Sequence, residues 1–115
     1  MKRIAILSAG FLFLLSLSQC GTARRGVPMF KPLALEAPAE VKGEAVFMSY
    51  CQKCHPGGTA GLGPAINNKP LPGFLIRYQV RHGLGMMPAF KKEVISAEEL
   101  DNLMAYLKEL RTAKE

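Results

Sequence analysis

Cys51, Cys54 and His55 stand together in the stretch Tyr50 to Gly58, YCQKCHPGG. Two cysteines three apart, with a histidine directly after the second, constrain this chain more than any other feature. On a helical turn, residues three and four apart share a face, so all three side chains can address one object. A zinc tetrahedron takes four ligands, usually from two such pairs. With 3 cysteines and 2 histidines in the whole chain, there is no second pair to complete one. A disulfide between Cys51 and Cys54 is open to an exported protein, but it leaves His55 without a role. A thioredoxin-like redox motif begins a helix after a buried strand, and no strand-like run precedes Cys51.

The spacing Cys-x-x-Cys-His is the attachment signature of a c-type haem. Each cysteine sulfur adds across one vinyl group of the porphyrin, giving two thioether bonds. The next residue, His55, then lies beneath the iron as the proximal nitrogen ligand. The expectation is one covalent haem c held by Cys51, Cys54 and His55.

The start of the chain reads as a targeting segment. Lys2 and Arg3 precede an apolar run from Ile4 to Leu17, and LSQC closes it at Cys20. That is the layout of an export signal. The run of about 14 residues is short of the roughly 20 that span a membrane. LSQC resembles the lipobox of bacterial lipoproteins, which implies lipidation of Cys20, although Gln19 stands where a small residue is usual. Cleavage after Ala23 and an uncleaved anchor helix are the alternatives. Arg24 and Arg25, placed just after the run, tell against either cleavage.

The 115 residues fit one domain. Their formal charge is +6, which falls to +4 without Lys2 and Arg3. No basic run interleaved with aromatics marks a nucleic-acid surface. A mild positive charge suits a solvated surface or weak steering toward an acidic redox partner. Residues 21–40 hold three prolines and no steady period, and read as a flexible tether between a signal (1–20) and a folded domain (41–115). A folded part of about 75 residues is marginal without a disulfide, metal or cofactor.

Within that part the periodicity predicts an all-α fold of three main helices. The first runs from about Val41 to Lys53, with Val46, Phe47 and Tyr50 as its apolar stripe and Gly57 and Gly58 as its stop. Residues 56–72 read as loop; Leu62, Pro64, Ala65 and Ile66 are apolar enough to lie against a haem or to serve as core. Gly73 to His82 reads as a short helix, with strand as the alternative. Arg77 and Arg81 share a face there, either neutralising haem propionates or solvated. The last helix has Ser96 as N-cap with Glu99 closing a capping box. Leu100, Leu103, Met104, Leu107 and Leu110 form its buried stripe, and Lys108 and Arg111 suit the C-terminal end of its dipole.

Residues 43 to 111 resemble a small class I cytochrome c. GEAVFMSYCQKCH resembles that family's first helix, GLGPAI its proline loop, GMMPAF its second-ligand loop and SAEELDNLMAYLKEL its terminal helix. The resemblance implies that the Pro64 carbonyl accepts a hydrogen bond from the ligating histidine, and that Tyr106 lies near the first helix. It also implies that the methionine directly before a proline, Met87, is the second axial ligand. Met86 is the rival if the loop shifts by one residue, and His82 would make the haem bis-histidine. Pro88 lacks an amide hydrogen and biases Met87 toward extended backbone.

With both axial positions filled, the expected function is one-electron transfer on the periplasmic side of a bacterial membrane, between redox protein partners, by a chain that is not itself an enzyme. Two further readings stay open at this point. The chain can be the electron entry port of a larger membrane oxidoreductase. It can also be a haem-based sensor or weak peroxidase from which Met87 departs.

Overall fold

Leu33 and Leu35 already lie against the hydrophobic core, ahead of the first helix. The computed structural model describes residues 33–69 and 71–113. The proposed signal, Cys20 and most of the tether lie outside the described residues. Helix α1 spans Pro38–Tyr50, three residues earlier than the periodicity predicts. Pro38 stands in the first turn, where its missing amide hydrogen costs nothing. The Glu40 carboxylate reaches back to accept from the amides of Glu36 and Ala37, at 3.0 and 3.1 Å. A proline that reads as linker in the sequence is therefore a helix start.

The same helix ends at Tyr50, short of the Lys53 that spacing predicts. The Phe47 carbonyl accepts from both Cys51 N and Gln52 N, at 2.8 and 2.9 Å. That shared acceptor breaks the i to i−4 register, so the Cys-x-x-Cys-His segment is a series of tight turns continuing off the helix. A short 3₁₀ turn, Pro56–Gly58, follows.

Helix α2, Gly73–His82, has the predicted bounds and is helix rather than strand. Helix α3, Ala97–Thr112, carries the predicted capping box: Glu99 N donates to Ser96 Oγ (3.1 Å) and Ser96 N to Glu99 Oε2 (2.7 Å). No strand occurs among the described residues; a single bridge joins Leu84 and Met87. The architecture is all-α, three helices, as the periodicity requires.

Helices α1 and α3 form the main packed pair. Leu100, Leu103, Leu107 and Leu110 of α3 are buried with Val46 and Phe47 of α1, Val80 of α2 and Ile95. Met104 is only partly buried at the margin. Phe47 and Tyr106 meet with ring centroids 5.2 Å apart, which places Tyr106 against the first helix. Truncating a side chain as buried as Phe47 costs about 3–5 kcal/mol.

Gly43 sets how closely these two helices approach. A Cβ there would overlap the Asn102 carbonyl and lie 2.8 Å from Tyr106 Cβ. The obstacle is helix backbone, which cannot swing aside. Gly43→Ala is expected to destabilise the fold at or beyond the top of the roughly 1–3 kcal/mol overpacking range. A denaturant melt of the haem-loaded variant with an unchanged midpoint would contradict that.

Candidate functional site

His55 follows the two cysteines on the turn after α1, and it is one of the few buried polar residues, 8% exposed. Its Nδ1 lies 2.8 Å from the Pro64 carbonyl oxygen. A carbonyl only accepts, so Nδ1 carries the proton and Nε2 keeps its lone pair. No described residue bonds Nε2. The imidazole is thus held in the tautomer that offers Nε2 as a ligand, which is how ligating histidines are commonly oriented. Gly63, next to Pro64, lets the loop pass close to the ring. A Cβ on Gly63 would overlap His55 Cε1 and stand 3.0 Å from each ring nitrogen. Gly63 N also donates to the Cys54 carbonyl, 2.9 Å, so loop and motif are tied on both sides of the histidine.

Both cysteines are free thiols and half-buried. Burial, with the neighbouring Cys54 adding to it, pushes the Cys51 thiol up to about 11 from its usual 9.0. Once the sulfur is a thioether it cannot ionise, so the haem-loaded protein carries no alkaline sensitivity from this group.

Met86 and Met87 sit at a two-residue turn. Leu84 and Met87 exchange backbone hydrogen bonds of 3.1 and 3.0 Å. Gly85, first in the turn, has φ of 58°, a conformation that hindered residues avoid. The two methionines part company here. Met86 is 98% exposed, whereas Met87 packs against the core. Gln79 of α2 directs its amide Nε2 at Met87 Sδ, 3.6 Å away. The sequence offered no signal for that contact. His82 is exposed, stacked on Tyr78 at 4.0 Å, with Nδ1 2.8 Å from the Tyr78 carbonyl; the helix end and its aromatic neighbour account for it.

Both arginines on α2 have partners within the protein. Arg77 makes a surface ion pair with Asp101 on α3, and Arg81 donates to three backbone carbonyls, those of Phe90, Ile95 and Ser96. Of the loop residues considered as haem neighbours, Ala65 is buried, Ile66 packs against the core and Leu62 faces solvent, 81% exposed.

The donor set decides which group suits this site. Among the described residues no three His, Cys, Asp or Glu side chains gather into a metal cluster. Two reduced thiols, an imidazole with a free Nε2 and a partly buried thioether fit a haem that is attached by sulfur and ligated by nitrogen.

Fold and donor set together define a small mono-haem c-type cytochrome. The chain belongs to the family described as cytochrome C oxidase, cbb3-type, subunit III, whose model matches residues 38–107. It is similar to the 4-cresol dehydrogenase (hydroxylating) cytochrome c subunit of Pseudomonas putida, 32% identical over 68 residues. That match covers 59% of this chain and 59% of the relative's length. It is also similar to cytochrome c6 of Aphanizomenon flos-aquae, 34% identical over 77 residues, covering 60% of this chain and 87% of that one. No solved structure matches. The chain carries covalent haem c, and its likeness to these cytochromes supports haem-based electron transfer. No helix among the described residues is long and apolar enough to cross a membrane.

Proposed function

We propose that this chain shuttles single electrons on a haem bound through Cys51 and Cys54, with His55 and Met87 as the axial ligands. One observation carries the reading: the His55 Nδ1 hydrogen bond to the Pro64 carbonyl, 2.8 Å, which leaves Nε2 free to ligate. Met87 is preferred to Met86 because it alone of the two is held against the protein, and its sulfur already has a polar neighbour in Gln79. A thioether opposite an imidazole raises the reduction potential. The haem supplies the iron(II)/iron(III) couple. The chain's part is to hold the ligand set constant in both oxidation states, which keeps reorganisation small, and to exclude water from the pocket.

In this reading residues 1–20 direct export, Cys20 receives the lipid anchor, and residues 21–40 tether the domain 41–115 on the periplasmic side of a bacterial membrane. Support comes from Lys2, Arg3, the apolar run and LSQC. The partners are a donor and an acceptor redox protein. A second reading, an entry-port subunit of a larger oxidoreductase, is favoured by two names: the family's oxidase subunit and the relative that is a dehydrogenase's cytochrome c subunit.

Intact mass of the mature protein, made with haem-attachment machinery, tests the core of this. The expected result is the chain plus one haem, with acyl chains if Cys20 is lipidated. A mass equal to the bare polypeptide sinks the proposal. Co-purification with a membrane complex separates the subunit from the free carrier.

A further inference from the structure

Arg81 makes three side-chain hydrogen bonds to backbone carbonyls, and the proposed chemistry does not use it. It stands in the last turn of α2 and is partly buried. Nη1 donates to the Phe90 carbonyl (3.0 Å) and to the Ile95 carbonyl; Nη2 donates to the Ser96 carbonyl (3.1 Å). These acceptors lie at the exit of the methionine loop and at the N-cap of α3. The residue before Arg81 joins in, since Phe90 N donates to the Val80 carbonyl at 2.9 Å. Both backbone groups of Phe90 are therefore held by consecutive residues of α2. The Phe90 ring meets Tyr50 of α1 edge-on, centroids 5.8 Å apart. The excursion from Gly83 to Phe90, with Met87 inside it, is closed at its base.

We propose that Arg81 is a positioning residue that latches the methionine loop and keeps Met87 on the iron. The proposal rests on Met87 being the axial ligand. A guanidinium suits the task because its planar fork reaches three fixed acceptors without losing charge at any working pH. Lysine, a point charge on a flexible stem, cannot span them. With the latch gone the loop samples open conformations, and Met87 leaves the iron for a larger fraction of the time. A competing ligand binds only that open fraction, so its apparent affinity rises in proportion.

The test measures imidazole affinity of the ferric haem-loaded protein in four backgrounds: wild type, Arg81→Ala, Met87→Ala and the double variant. Arg81→Ala is expected to tighten imidazole binding about tenfold or more, the size of a tenfold larger open fraction. In the Met87→Ala background Arg81→Ala is expected to add nothing, because there is no ligand left to hold. Arg77→Ala, which breaks the pairing to Asp101 outside the loop, is the control and should leave affinity unchanged. No change with Arg81→Ala overturns the latch while leaving Met87 as ligand. An equal gain with and without Met87 also overturns it, since Arg81 then only shapes the pocket. No effect of Met87→Ala itself overturns the ligand reading. Should Arg81→Ala fail to load haem, Arg81→Lys is measured the same way, with the same expected direction and the same criteria.

Discussion

Ferrous protein carrying Met87→Ala is expected to bind carbon monoxide at least about 100-fold more tightly than wild type, the gain when a ligand in place 99% of the time is removed. Met86→Ala is expected to leave that affinity unchanged. The contrast follows from the turn at Leu84–Met87, which puts neighbouring methionines in opposite settings: Met86 98% exposed, Met87 against the core with Gln79 at its sulfur. Loss of the thioether should also lower the reduction potential, because a soft neutral ligand favours iron(II). Equal carbon monoxide affinity in wild type and Met87→Ala would remove Met87 from the iron.

The second large effect concerns folding. Cys51→Ala, Cys54→Ala without haem is expected to lose its cooperative thermal transition. The buried core among the described residues rests on a handful of side chains around Phe47, Ile95, Leu103 and Leu110, in a folded part of about 75 residues, a size at which one core supplies little surplus stability. Meanwhile Leu62 and Leu84, on loops either side of α2, face solvent. A flat apolar body fixed by two covalent bonds supplies packing that the polypeptide does not. Even a loss of about 3 kcal/mol would lower the transition by more than roughly 10 °C in a domain of this size. A near-native, cooperative transition in the double variant would show that the helices stand without the cofactor.

These two predictions differ in how far the sequence alone reaches them. The cysteine pair and His55 were legible because covalent attachment demands a fixed local spacing, and local spacing is what a sequence displays. Helix α3 was legible for the same reason: its capping box and its leucine steps are contacts within a few residues. Methionine before proline pointed to Met87 by resemblance, yet the residues could not separate it from Met86, since one residue of loop shift exchanges them. The end of α1 was misplaced because a helical period extends through Cys51 while the shared Phe47 carbonyl stops it. The start was misplaced because Pro38 reads equally as linker or first turn.

The amino-acid order determined by itself the helical class and the attachment motif, since each is written in short-range pattern. Only the folded chain decided what Arg77, Arg81, Gln79 and Gly43 do. Their partners lie across helix and loop contacts, at Asp101, at the carbonyls of Phe90, Ile95 and Ser96, at Met87 and at Asn102. A hydrogen bond of that kind is fixed by where two backbones meet in space, and no period or composition along the chain records it.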